Sequence, residues 1–147
     1  MTELLKRQKF VVLTLIFSFI IFIAITMVFS IDKKTNRIIT DYINEIGWQT
    51  EENPIEISHI TIPLEFDEVY KVYNSIQQRQ GFNLENYKGK TVARYTYKAL
   101  NHKYSDETSV FINVLFFKGE IIASDISSNG KHSFIYELQN TSDKLIK

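Results

Sequence analysis

An α+β domain carried on a single transmembrane helix is the fold class this sequence predicts, and three observations point to it. An uncharged apolar run occupies residues 10–31. Two stretches with apolar side chains at helical spacing follow it, and the C-terminal half alternates with period two between turn signals. The expected architecture is α+β: the N-terminal transmembrane helix, then two helices packed on one face of an antiparallel sheet with a C-terminal four-stranded meander. Residues 1–9 would form a cytoplasmic tail, 10–31 the anchor, and 32–147 an extracytoplasmic α+β domain.

The run from Phe10 to Ile31 contains no charge, proline or glycine. As a helix it would extend about 33 Å, against a hydrocarbon core of about 30 Å. A cleaved signal peptide is the competing reading, but its apolar core is usually about 7–15 residues. Lys6, Arg7 and Lys9 precede the run, and Lys33, Lys34 and Arg37 follow it, so the positive-inside count ties. The N-terminal amino group and the short basic tail tip the expected orientation to N-terminus inside. The expected localisation is therefore the cell membrane, single-pass, with the C-terminal domain outside.

Next, Ile38, Ile39, Tyr42, Ile43 and Ile46 repeat at helical spacing over 35–47, with Gly47 placed to end the helix. Residues 55–62 are β-branched and partly alternating, which predicts a strand stopped by Pro63. Phe66, Val69, Tyr70, Tyr73 and Ile76 then predict a helix over 64–80, with Gly81 at the C′ position beyond it. Asn83 can cap a short turn that holds Leu84 and Tyr87 inward, with Gly89 at its end. Strands are expected over 91–100, 109–117, 120–127 and 131–137, with turns at Lys118-Gly119 and Asn129-Gly130.

Composition removes several function classes. The chain has no cysteine, which excludes disulfides, thiolate nucleophiles and thiolate metal sites. Beyond Ile31 there are fourteen Lys/Arg against sixteen Asp/Glu. That balance argues against nucleic acid as a partner, because phosphate neutralisation needs a positive excess. His59, His102 and His132 stand alone rather than at metal-ligand spacing, and no nucleophile elbow or Gly-rich phosphate loop is present. No catalytic residue, metal or cofactor is expected.

Arg94, Tyr95, Tyr97 and Lys98 form an aromatic–basic strand of a kind that binds carbohydrate or nucleic acid. The plainer account shares Tyr95 and Tyr97 with Ala93 and Ala99 on one face under a helix. Arg94, Tyr95, Tyr97, His102 and His132 are the candidate binding residues.

The stretch from Trp48 to Tyr97 resembles domain-of-unknown-function family 4830, small membrane-anchored proteins of Gram-positive bacteria. The resemblance rests on Gly47-Trp48, on ITIPLEFDEVYKVYNSIQQRQGF (60–82) and on NLENYKGKTVARYTY (83–97). Gly81, Phe82, Leu84, Tyr87 and Gly89 are the structural motif within it. It implies an N-terminal hydrophobic segment and one small domain, and it carries no activity or ligand across.

The expected function is a non-enzymatic binding or protein-interaction module, anchored in the membrane and meeting a protein partner or cell-envelope ligand. The alternative is a small membrane-tethered hydrolase acting on cell-envelope or peptide substrates. That alternative requires His102 or His132 in a concave site beside a carboxylate and a hydroxyl.

Overall fold

The structure, a computed structural model, describes residues 2–105, 108–129 and 133–139; in the first helix it describes side chains for 12–23 and from 33 onward. The chain divides into two compact units, 1–35 and 36–147. Among the described residues there are three helices, α1 (Thr2–Glu45), α2 (Glu68–Gln78) and a short 3-10 helix (Leu84–Tyr87). Five strands complete the fold: β1 (Glu56–Thr61), β2 (Thr91–Lys98), β3 (Val110–Phe117), β4 (Glu120–Ser128) and β5 (Phe134–Glu137).

The expected anchor does not stand. Among the described residues no helix is long and apolar enough to cross a membrane. The single-pass localisation with an outside domain is overturned by the same finding.

The second unit is built on one antiparallel sheet in the order β1-β2-β3-β4-β5. The expected four-stranded meander is thus a five-stranded one. The strand after α1 joins it at the edge by pairing with β2, from Glu56 opposite Thr96 to Thr61 opposite Thr91. The Asn129-Gly130 turn falls partly outside the described residues, since only Asn129 is described, but β4 and β5 pair as antiparallel neighbours.

The two helices lie on opposite faces of the sheet, not on one. Tyr95 and Tyr97 of β2, Ile112 and Val114 of β3 and Ile126 of β4 pack with Ile39 and Ile43 of α1 and with Trp48. Val92, Leu115 and Ala123 point the other way and pack with Ile62, Leu84 and, from α2, Tyr70 and Tyr73. The cause is in β3, whose sequence VFINVLFF is apolar at both parities. A strand of that kind leaves apolar surface on both sides, and each side needs its own cover.

Both helices close with the same device. Past α1, Gly47 adopts φ 89° while its N–H reaches Asn44 O and the Trp48 N–H reaches Ile43 O, at 3.0 and 3.1 Å. Past α2, Gly81 adopts φ 85° with Gly81 N–H on Gln78 O and Phe82 N–H on Gln77 O, both at 3.1 Å. Each pair is a Schellman closure, in which glycine takes the left-handed position without a Cβ penalty. The α2 N-terminus starts later than its periodicity suggests. Asp67 caps it, its carboxylate accepting from Tyr70 N–H at 2.8 Å, so Leu64 to Phe66 stay outside the helix.

Trp48 is the largest fully buried side chain, and its indole N–H donates to Leu138 O at 3.0 Å. Gln77 of α2 and Gln80, just past its end, serve the part of β4 that β5 does not reach. Gln77 Oε1 accepts from Ser124 N–H at 2.9 Å, and the Gln80 amide donates to Ser124 O at 2.8 Å. Gln80 Oε1 also accepts from Leu138 N–H and Gln139 N–H at 2.8 and 3.1 Å. Two side-chain amides therefore take the place of a neighbouring strand, satisfying backbone groups that burial would otherwise orphan.

Candidate functional site

On the face carrying α2, the helix covers the part of the sheet that holds Val92, Leu115 and Ala123. Beside it a cleft of about 840 Å³ opens over a polar part of the same face. Tyr70 and Tyr73 of α2 form one wall, Ile55 and Glu56 a second, and Phe134 and Ile135 of β5 a third. The floor is supplied by β2, β3 and β4.

That floor follows from strand register. Glu56 stands opposite Thr96, Thr96 opposite Asn113, Asn113 opposite Asp125, and Asp125 opposite Glu137. One polar residue from each strand thus falls in a single transverse row crossing the whole sheet. Within it the Thr96 hydroxyl donates to Asn113 Oδ1 at 2.9 Å. Asn113 Nδ2 donates to Asp125 Oδ1 at 2.8 Å and to Ser127 Oγ at 3.0 Å. The Tyr73 phenol comes down from α2 and donates to Asp125 Oδ2 at 2.9 Å. The row ends in an ion pair on each side, Arg94–Glu56 at 3.4 Å and Arg79–Glu137 at 2.9 Å.

Burial sets the protonation of this network. Asp125 is almost wholly enclosed, and desolvation lifts its pKa above the usual carboxyl value, while the Asn113 and Tyr73 hydrogen bonds and Arg94 pull it back. Tyr73 is pushed well above the ordinary phenol value by burial and then by the Asp125 charge, so it remains a donor. Asp125, held by three side chains, is a braced member of the floor.

Arg94 is less well served. Its contact with Glu56 is long, and its Nε is buried without a hydrogen-bond partner among the described residues. Its cross-strand neighbour Ser58 has a buried Oγ in the same condition. Buried polar groups are normally paired, and an unpaired one costs about 1–3 kcal/mol.

Of the candidate binding residues that are described, only Arg94 reaches the cleft. Tyr95 and Tyr97 are buried on the opposite face, where the Tyr97 hydroxyl donates to Asn36 Oδ1 at 2.6 Å. His102 is fully buried, stacked between Trp48 and Phe134 with ring centroids 5.9 and 5.3 Å away. Its Nδ1 accepts from Tyr104 N–H at 3.1 Å, which puts the proton on Nε2. Burial, then Lys103, lowers its pKa. His132 lies outside the described residues.

The motif residues build the frame around α2 and line no part of the cleft. Gly81 and Phe82 close α2, Leu84 is fully buried, and Tyr87 meets Phe117 edge-on at 5.9 Å. Gly89 N–H donates to Ile62 O at 2.8 Å, and a Cβ on Gly89 would come within 2.9 Å of Leu64 Cδ2. Among the described residues no group of three or more His, Asp or Glu is placed to hold a metal ion.

Tyr73, Thr96, Asn113, Asp125 and Ser127 were not marked by sequence motifs. Their one signal is a polar residue in mid-strand between apolar neighbours, as with Asn113 in VFINVLFF and Asp125 in EIIASDISS.

The model of the family described as Domain of unknown function (DUF4830) matches residues 31–126. The chain belongs to this family. The DUF4830 match takes in α2 and the cleft floor from Glu56 to Asp125, and it stops before β5, which supplies the Phe134 wall. No curated protein and no solved structure matches the chain.

Proposed function

We propose that this DUF4830 domain is a non-enzymatic binding module whose ligand occupies the cleft between α2, β1 and β5. The observation that carries this reading is the state of the floor. Its Thr96–Asn113–Asp125–Tyr73 chain is hydrogen-bonded internally, so the surface is already ordered before a ligand arrives, while Arg94 is left under-satisfied. The volume of about 840 Å³ falls in the range of small-ligand sites, about 300–1,000 Å³. Aromatic walls and a few fixed polar groups are the usual composition of such sites.

The hydrolase alternative rests on His132 alone, which lies outside the described residues. It needs a histidine beside a carboxylate and a hydroxyl in a concave site. The cleft offers Asp125, Ser127 and Tyr73 but no described histidine, and His102 is sealed away from solvent. The test is an NMR titration of the full chain against a panel of small neutral and charged fragments. Shifts concentrated at Tyr70, Asn113 and Phe134 are expected, with no turnover of ester, peptide or glycoside reporters. Shifts confined to other surfaces, or hydrolysis abolished by Asp125→Asn, would overturn the reading.

A further inference from the structure

We infer that the cleft takes a small monocarboxylate with an aromatic or aliphatic body, its carboxylate replacing Glu56 on Arg94; this rests on the cleft being the binding site. The floor defines what is missing. Asp125 is held by donors, Asn113 uses both its amide atoms, and the Thr96 hydroxyl is engaged. On β1 and β2 the buried groups with no partner among the described residues are Arg94 Nε, a donor, and Ser58 Oγ, which can donate; both atoms are enclosed, while the Arg94 side chain as a whole is 38% exposed and lines the cleft. They sit on directly opposed residues of β1 and β2. The unmet demand in this corner is therefore for an acceptor.

Charge and geometry narrow the class. A guanidinium binds a planar carboxylate through two parallel N–H bonds, so a carboxylate suits it better than a neutral carbonyl does. The protein already holds a carboxylate near that place, Glu56, at a loose 3.4 Å from Arg94 Nη2. The Glu56 side chain is 55% exposed at the rim, free to turn into solvent when displaced. Among the described residues the cleft lining holds one cation, Arg94, facing two acids, Glu56 and Asp125. That single described cation matches one carboxylate charge. Tyr70, Phe111 and Ile135 supply apolar surface for the rest of the ligand.

The exchange makes Glu56 a built-in competitor. Its carboxylate occupies Arg94 in the empty protein and lowers the affinity of any incoming acid. Neutralising it should tighten binding, whereas a merely structural Glu56 would leave affinity unchanged.

The experiment is calorimetric and NMR titration of the full chain with phenylacetate, phenylacetamide and phenylphosphonate. Phenylacetate should bind at least tenfold tighter than either of the others. Arg94→Gln should abolish that preference, Arg94→Lys should retain part of it, and Glu56→Gln should raise phenylacetate affinity severalfold. Glu56→Gln alters an exposed rim residue, so it keeps the test meaningful even if the Arg94 variants fold poorly. Equal affinity for acid and amide at cleft residues would overturn the ligand class and leave the binding reading intact. Weaker phenylacetate binding by Glu56→Gln would overturn the exchange. Tighter binding of phenylphosphonate would replace the monocarboxylate with a dianion. Binding by none of the three would sink the class, while the wider fragment panel separately decides whether the cleft binds anything.

Discussion

On the α1 face, Trp48, Tyr97, Ile112 and Ile126 are enclosed, and the single indole N–H finds a backbone carbonyl. On the α2 face, burial is as deep at Leu115 and Ala123 but gives way within one strand spacing to the row through Thr96, Asn113 and Asp125. The same strands therefore carry a sealed core on one side and a braced polar cleft on the other. The difference comes from helix placement. With eleven residues, α2 covers part of a five-stranded sheet, and the remainder must satisfy its polar groups laterally. Stability should be concentrated on the first face and recognition on the second.

The largest effect should come from Trp48→Ala, which removes the biggest enclosed side chain and leaves Leu138 O unpaired. A loss of about 3–5 kcal/mol in urea unfolding is expected; a loss under about 1 kcal/mol would mean that the α1 face is not the stabilising one. Gln80→Ala should cost about 2–3 kcal/mol, because Ser124 O and the Leu138 and Gln139 N–H groups lose their shared partner. Fraying of β5 before global unfolding, seen by hydrogen exchange, should accompany it.

Asp125→Asn should cost about 1–2 kcal/mol at neutral pH, since an amide places a donor against either Asn113 Nδ2 or the Tyr73 hydroxyl. Its pH dependence carries a distinctive sign. The folded pKa of Asp125 lies above the unfolded value, so the folded state binds the proton more tightly. The stability this group contributes is present below the unfolded pKa and is lost as pH rises through the folded one. Wild type should therefore gain on Asp125→Asn upon acidification through the carboxyl range, checked by urea unfolding at neutral pH and near pH 4. His102 acts in the opposite sense. Its pKa is lowered, so its contribution is present above the unfolded value near 6.5 and falls away as pH drops through the folded one. The smallest effect on stability belongs to Arg94→Gln, about 0.5 kcal/mol or less, because its pair with Glu56 is long and solvent-screened. Its effect should show in ligand titrations alone.

Local chemistry was readable along the chain, and pairing across it was not. Gly47 and Gly81 announce their helix ends, and Lys118-Gly119 announces the turn between β3 and β4, because each needs a positive φ. Asp67 falls inside the helix expected over 64–80, and its role as the cap became visible only with the Tyr70 N–H donating to its carboxylate. The choice of face for each helix was hidden, since VFINVLFF is apolar at both parities and fits a helix on either side. The cleft was hidden for a related reason. Glu56, Thr96, Asn113, Asp125 and Glu137 are unremarkable one at a time, and they become a row only through the register of four strand pairs. The apolar run at 10–31 misled by composition alone: among the described residues no helix is long and apolar enough to cross a membrane.

The paired glutamines beside β4 have a consequence for how copies of this protein meet. Uncapped strand margins invite another chain to add on and propagate into fibres. Here the stretch of β4 that β5 leaves bare has its main-chain groups at Ser124 occupied by amides that no intruding strand can readily displace. Strand addition on that flank is left with the four residues of β5, and β1 forms the other margin of the sheet.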